Sequence, residues 1–168
     1  LEKLLVGKDN PETLPNIMFD ITAKDVTDIT NIIPMLKKVG YQSKNVHLTW
    51  ILTNYVTAMD NNKQRERMVP EDILLKTHEG AANTVWGLIT KAMPRGLNGR
   101  VDVILNNPNH TVFYKDAEGN NVEGIAKGFL SLPVKREGKG ILPEITWKMK
   151  LFMWVKDNAP ESITKYMK

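Results

Sequence analysis

Two short stretches of this 168-residue chain carry side chains that could act on a phosphorylated ligand. In the first, Asp20 and Thr22 follow an apolar triplet and Lys24 comes two residues later. A carboxylate can orient a substrate hydroxyl, a threonine hydroxyl can hold the same ligand, and a lysine can neutralise a phosphate. The alternative is that Asp20 or Thr22 merely caps the helix that follows. For these residues taken alone, capping is the simpler interpretation.

The second stretch is Arg65-Glu66-Arg67, in which two guanidinium groups flank one carboxylate. Phosphoryl transfer requires compensation of charge on the phosphate oxygens, and arginine supplies planar, permanently charged, bidentate donors. Two arginines separated by one residue at a helix end could form a lid over phosphates. The alternative is a solvated helix face on which Lys63, Glu66 and Arg67 form weak ion pairs.

A third polar position follows the apolar segment 101–105, where Asn106 precedes Asn107 and Pro108. If the segment is a strand, its carboxyl end reaches the edge of a sheet at which α/β proteins bind ligands. Asn106 is then a candidate for holding a substrate. The alternative is a plain turn before the proline.

Two other groups of residues favour structural roles. His47, His78 and His110 lack the spacing of metal ligands, so we predict no metal site. The C-terminal cations and tryptophans could instead grip single-stranded nucleic acid by charge and stacking. They are Lys135, Arg136, Lys139, Trp147, Lys148, Lys150, Trp154 and Lys156. The alternation of apolar and polar residues from 145 to 155 favours an amphipathic strand with its aromatic side inward.

The elements that would position the candidate residues follow from apolar periodicity. Residues 16–22 and 46–52 are apolar runs of strand length, and the second suits a strand buried on both faces. Between them, apolar residues at threes and fours from 25 to 39 predict a helix, which Pro34 should kink or split. Strand, helix and strand form a βαβ unit with parallel strands.

After the arginines, Pro70 and two acids predict the start of a long helix that ends before Pro94. A third strand is expected at 101–105 and further strands at 111–114 and 145–155, with a terminal helix over 160–168. The sequence therefore predicts an α/β fold. We expect a partial parallel sheet flanked by helices over residues 1–110, and a small β-rich, basic extension over residues 111–168.

Composition narrows the class of protein. A hydrophobic fraction of 42% and a charged fraction of 25% are those of an ordinary globular domain. The net charge of +4 favours an anionic partner weakly, and a nucleotide satisfies it as well as a nucleic acid does. The absence of cysteine excludes disulfides and thiolate metal sites, and no apolar run approaches the roughly 18 residues of a membrane span. We therefore predict a cytoplasmic protein without a membrane partner.

The order of these features resembles the C-terminal half of P-loop kinases of the zeta-toxin type, over roughly residues 10 to 107. The residues that carry the resemblance are Asn16-Ile-Met-Phe-Asp-Ile-Thr-Ala-Lys-Asp25, Val39-Gly-Tyr41, the run from Val46 to Thr53, and Arg65-Glu-Arg-Met-Val-Pro-Glu71. No phosphate-cradling loop accompanies them, because Gly138-Lys139 has no Gly five positions earlier and is followed by Gly140. Ile21 stands where the family usually has Gly.

The resemblance implies a kinase that uses ATP and Mg²⁺ to phosphorylate a small hydroxylated acceptor such as a nucleotide sugar or nucleoside. It implies Asp20 as the catalytic residue, Thr22, Lys24 and Asn106 as substrate-binding residues, and Arg65 and Arg67 as phosphate-binding residues. Since the chain begins at Leu1 without an initiator Met, we expect the phosphate loop in an upstream segment, and the 168 residues alone to be inactive. Two alternatives remain: a non-catalytic phage or bacterial assembly or partner-binding protein that retains the fold, and a basic nucleic-acid-binding module.

Overall fold

The computed structural model describes residues 14–106, 112–127 and 130–160. Its helices are α1 (Val26–Thr30), α2 (Ile32–Lys38), α3 (Tyr55–Lys63), α4 (Glu71–Thr90) and α5 (Glu144–Asn158). Its strands are β1 (Leu48–Thr53), β2 (Val101–Asn106), β3 (Val112–Lys115), β4 (Asn121–Lys127) and β5 (Leu130–Lys135). The helix predicted for residues 160–168 lies, except for its first residue, outside the described residues.

The centre of the fold is a three-stranded mixed sheet in the order β1-β2-β5. β1 and β2 are parallel, in a register that runs from Leu48 opposite Val101 to Thr53 opposite Asn106. β2 and β5 are antiparallel. β3 and β4 form a separate antiparallel pair. The prediction of an α/β fold is therefore confirmed, but the sheet is mixed where a parallel sheet was expected.

One face of this sheet carries the main core. Val101, Val103 and Leu105 of β2 are fully buried, and α4 and α5 cover them. On β1, Trp50 and Leu52 point the same way, whereas Ile51 is 62% exposed and Thr49 is exposed. The prediction that this strand is buried on both faces was wrong, because its burial alternates with the pleat and the packed helices lie on one side only.

Residues 16–22 do not form the predicted strand, although all of them lie in the described part of the chain. Their apolar side chains are largely in solvent, with Met18 91%, Phe19 38% and Ile21 42% exposed. An apolar run of this length becomes a strand only where a neighbouring edge accepts its backbone hydrogen bonds. Here a cleft separates the run from β1, so the expected first βαβ unit is not formed.

The helix predicted over residues 25–39 is split, as expected, but at Asn31 and not at Pro34. Asp25 begins α1 with a capping box, in which its side chain accepts from the Thr27 N–H at 2.8 Å and its own N–H donates to Asp28 at 3.1 Å. The hydrogen bonds that the Thr27 N–H and hydroxyl donate to the carboxylate lower the pKa of Asp25. Pro34 occupies the third position of α2, in the first turn, where a missing N–H breaks no helical hydrogen bond.

The strand predicted over residues 145–155 is also wrong, because these residues form helix α5. Trp147, Leu151 and Val155 recur every four residues and are fully buried against the sheet and α4. The indole of Trp147 packs edge-on against Trp86 and donates to the Leu142 carbonyl at 3.1 Å. The other apolar residues of the alternating pattern, Ile145, Met149 and Met153, lie on the exposed side of the helix. β5 and α5, both from the expected extension, thus join the sheet and core of the preceding residues.

No helix in the described ranges is long and apolar enough to cross a membrane.

Lys135 is a buried cation at the end of β5, with 6% of its surface exposed. Its ammonium donates to the main-chain carbonyls of Asn98, Gly99 and Arg136 at 3.1, 3.0 and 3.3 Å, and to Asn98 Oδ1 at 3.0 Å. Burial penalises the charged form and lowers the pKa of Lys135. The side chain therefore ties the turn before β2 to the end of β5.

We expect Lys135→Met to lower the free energy of unfolding by about 1–3 kcal/mol, because the methionine removes the four hydrogen bonds of the ammonium, among them the one to the buried Gly99. Urea denaturation of the two proteins measures this difference. Lys139→Met is the matched control, since Lys139 is exposed in the following turn. Equal losses in the two variants would contradict a special role for the buried ammonium.

Candidate functional site

A cleft of about 1140 Å³ lies beside the sheet in the described part of the chain. One wall consists of residues 14–23, here called the N-terminal wall, and the other consists of β1 with the residues that precede it. Thr77, His78, Ala81 and Val85 of α4 also contribute to the lining. β1 is the edge strand of its sheet, and the cleft runs along its free side. We call this feature the β1 cleft.

The N-terminal wall is held to the rest of the fold at both ends. At one end, the hydroxyl of Tyr41 donates to the Pro15 carbonyl. At the other end, the Thr84 hydroxyl of α4 donates to the Lys24 carbonyl at 3.1 Å. A Cβ on Gly80 would lie 2.9 Å from that carbonyl oxygen and 2.7 Å from Lys24 Cγ, so the close approach requires a glycine. The wall is therefore anchored to α4 without being part of the sheet.

Asp20 and Thr22 both line the β1 cleft, and both side chains are exposed to it or to solvent. Thr53, at the carboxyl end of β1, lies on the opposite wall. After Thr22 the chain turns through Ala23, which is 7% exposed and has a left-handed φ of 49°. This conformation is costly for a residue other than Gly. Asp20, Thr22 and Thr53 therefore line the same cleft, and their roles in binding an acceptor stay predictions.

Lys24 does not line the cleft. Its backbone makes the contact with α4, and its side chain is exposed. Asn106 does not line the cleft either. Its Nδ2 donates to Thr53 Oγ1 at 3.3 Å, which joins the carboxyl ends of the two parallel strands. The roles of these two residues in substrate binding stay predictions.

Arg65 and Arg67 are exposed in the turn between α3 and α4 and are not part of the cleft lining. α3 begins directly after β1, where Asn54 accepts from the Thr57 N–H at 3.0 Å and so caps the helix. The arginines follow the other end of this nine-residue helix, which rises about 13 Å. The structure therefore places the arginines outside the cleft that Asp20 lines, beyond the C-terminal end of α3.

His78 lines the cleft, although its position in the sequence favours a structural role. It is half-buried, and its ring packs edge-on against Tyr55 with 5.6 Å between centroids. Burial lowers the pKa of His78, which favours the neutral imidazole. The sequence did contain a signal, since His78 lies four residues after Leu74 and three before Ala81, on the apolar stripe of α4.

The structure also bears on metal and nucleic-acid binding. Among the described residues, no group of three or more His, Cys, Asp and Glu side chains could hold a metal ion. Asp20 is the only carboxylate among the described residues of the cleft lining. Trp147 and Lys135, two members of the suggested nucleic-acid surface, are buried. They are therefore not available for base stacking or phosphate contact. Trp147 does point inward, as the sequence predicts, but it lies on a helix and not on the predicted strand.

His78 makes the free energy of unfolding depend on pH, in a direction that follows from its lowered pKa. Because burial lowers its pKa in the folded state, the unfolded chain takes up the proton at a higher pH than the folded protein does. The free energy of unfolding should therefore fall as the pH decreases from about 6.5 through the lowered pKa of His78. His78→Gln should lack this contribution. Urea denaturation at several pH values tests the loss, and an NMR titration midpoint of His78 at or above 6.5 would contradict it.

Comparisons with protein-family models, with curated proteins and with solved structures found no match to this chain. A proposal about its function therefore depends on the residues of the cleft and of the arginine-containing turn, together with the resemblance of the sequence.

Proposed function

We propose that the protein is a phosphotransferase that moves the γ-phosphoryl group of ATP to a hydroxyl of a small acceptor bound in the β1 cleft. The observation that carries the proposal is the placement of Asp20 and Thr22 on one wall of this cleft, opposite the carboxyl end of β1. α/β proteins commonly bind their ligands beyond the carboxyl ends of parallel strands. The volume of about 1140 Å³ suits a small ligand.

In this proposal Asp20 accepts a hydrogen bond from the acceptor hydroxyl and takes its proton as the phosphoryl group arrives. Thr22 and Thr53 supply further polar contacts from the two walls. The neutral imidazole of His78 can accept a hydrogen bond from a sugar or nucleoside hydroxyl without adding charge. The cleft thereby combines one base with uncharged partners, which suits the hydroxyl-bearing sugar of a nucleoside or nucleotide sugar.

In the same proposal, Arg65 and Arg67 bind the phosphates of ATP. Both side chains are exposed, so their guanidinium groups can form bidentate contacts with phosphate oxygens. Mg²⁺ would neutralise charge on the bound nucleotide. A single carboxylate in the cleft lining fits an ion held mainly by phosphates and water, which is common for Mg²⁺. The phosphate-cradling loop is proposed to come from a segment upstream of Leu1.

The test uses the protein expressed from its complete reading frame, incubated with Mg²⁺, ATP labelled at the γ position, and a panel of nucleosides and nucleotide sugars. Asp20→Asn should lower kcat about 10²- to 10⁴-fold, because the amide cannot take the proton. Arg65→Ala and Arg67→Ala should each lower kcat/KM roughly 10²- to 10³-fold through lost stabilisation of the phosphate charge.

Two exposed residues outside the cleft and the arginine-containing turn provide matched controls. Asp72→Asn removes an exposed carboxylate of α4, and Arg95→Ala removes an exposed arginine. Both variants should retain the wild-type rate. Absence of labelled product with every acceptor, or full activity of Asp20→Asn, would overturn the proposal. So would a complete reading frame that lacks Gly-x-x-x-x-Gly-Lys-Ser/Thr after a strand upstream of Leu1.

A further inference from the structure

Asn62 is one of two polar or charged residues that are buried in the described part of the chain, with 9% of its surface exposed. It lies one residue before the end of α3. Its Nδ2 donates to the Val69 carbonyl at 2.8 Å, and its Oδ1 accepts from the Val69 N–H at 3.0 Å. The side-chain amide thus pairs with both backbone groups of a residue seven positions later.

This pair of hydrogen bonds closes the segment 64–68, here called the arginine loop. The loop begins with two backbone bonds that extend α3, from Gln64 N–H to the Asn61 carbonyl at 3.3 Å and from Arg65 N–H to the Asn62 carbonyl at 3.2 Å. It is followed by Val69 and by Pro70, the N-cap of α4. Both ends of a five-residue loop are therefore fixed through one asparagine.

The chemistry of the pairing is specific to asparagine. A carboxylate of the same length would still accept from the Val69 N–H but would face the Val69 carbonyl without a donor. An alanine would leave both backbone groups without these partners. Glutamine offers the same amide on a longer stem. Asn61, the preceding residue, is exposed and has the same side chain without this contact.

We propose that Asn62 is a positioning residue, whose two hydrogen bonds to Val69 hold the arginine loop in a conformation that presents Arg65 and Arg67 together to a polyphosphate. The inference rests on the proposed function, in which these arginines bind the phosphates of ATP. A loop free to sample many conformations would lose entropy on binding, and a loop already held in place does not. The contribution of Asn62 to binding is therefore indirect and passes through the arginines.

The experiment measures the affinity of the complete protein for inorganic tripolyphosphate by calorimetry at low ionic strength, where exposed charges are little screened. Asn62→Ala should weaken binding about tenfold, within the range of coupling between interacting residues. Asn61→Ala is the matched control and should bind as the wild type does. Asn62→Gln should recover part of the affinity, because it keeps both a donor and an acceptor.

A double-mutant cycle separates positioning from a general loss of structure. In the Arg65→Ala, Arg67→Ala background, Asn62→Ala should cause no further loss of affinity, since the groups that it positions are gone. A further tenfold loss in that background would overturn the inference, as would wild-type affinity in Asn62→Ala. If the wild type itself does not bind tripolyphosphate, the phosphate role of the arginines and this inference both fall. Phosphotransfer that depends on Asp20 without any effect of Asn62→Ala would leave the proposed function and remove only the inference.

Discussion

The parallel pairing of β1 with β2 is the constraint on which the rest of the structure depends. It places Thr53 opposite Asn106, so two polar residues meet where the apolar strands end. It also sets where α3 can begin, because Asn54 follows β1 directly and caps that helix. The fully buried side chains of β2 then fix the positions of α4 and α5 on one face. The cleft, α3 and the arginine loop all take their places from this pair of strands.

The parts of the fold that could be predicted from sequence are those in which local pattern and tertiary environment agree. β1 and β2 are apolar and bounded by polar residues, and α4 has a long apolar stripe, so each forms where expected. Residues 16–22 have the composition of a strand, but the free edge of β1 lies across the cleft from them and does not pair with them. In α5, the apolar residues recur with a period of two, which suits a strand, and also with a period near four, which suits a helix. The helix forms because it buries Trp147, Leu151 and Val155 together.

The candidate site was predictable to the extent that its chemistry lies in residue type. An acid and a hydroxyl after an apolar run indicated Asp20 and Thr22, and the structure places both on the cleft. His78 and Asn62 were missed because their importance comes from where their side chains point in the folded protein and from what they contact there. The environment of His78 depends on a cleft built from three separate segments, and that of Asn62 on a carbonyl seven residues away. Spacing along the sequence puts His78 on the apolar stripe of α4, but it reveals neither the cleft beside His78 nor the contact of Asn62 with Val69.

The separation of the cleft from the arginine loop limits the kind of ligand that could use both. α3 leaves the carboxyl end of β1 and rises about 13 Å before the loop. α4 returns from the loop and first contributes to the cleft at Thr77, six residues or about 9 Å beyond its start. The arginine loop is therefore separated from the cleft residues of β1 by the length of α3, and from those of α4 by the first six residues of that helix. The proposed function needs two adjoining ligands for this reason, an acceptor in the cleft and a polyphosphate at the arginine loop.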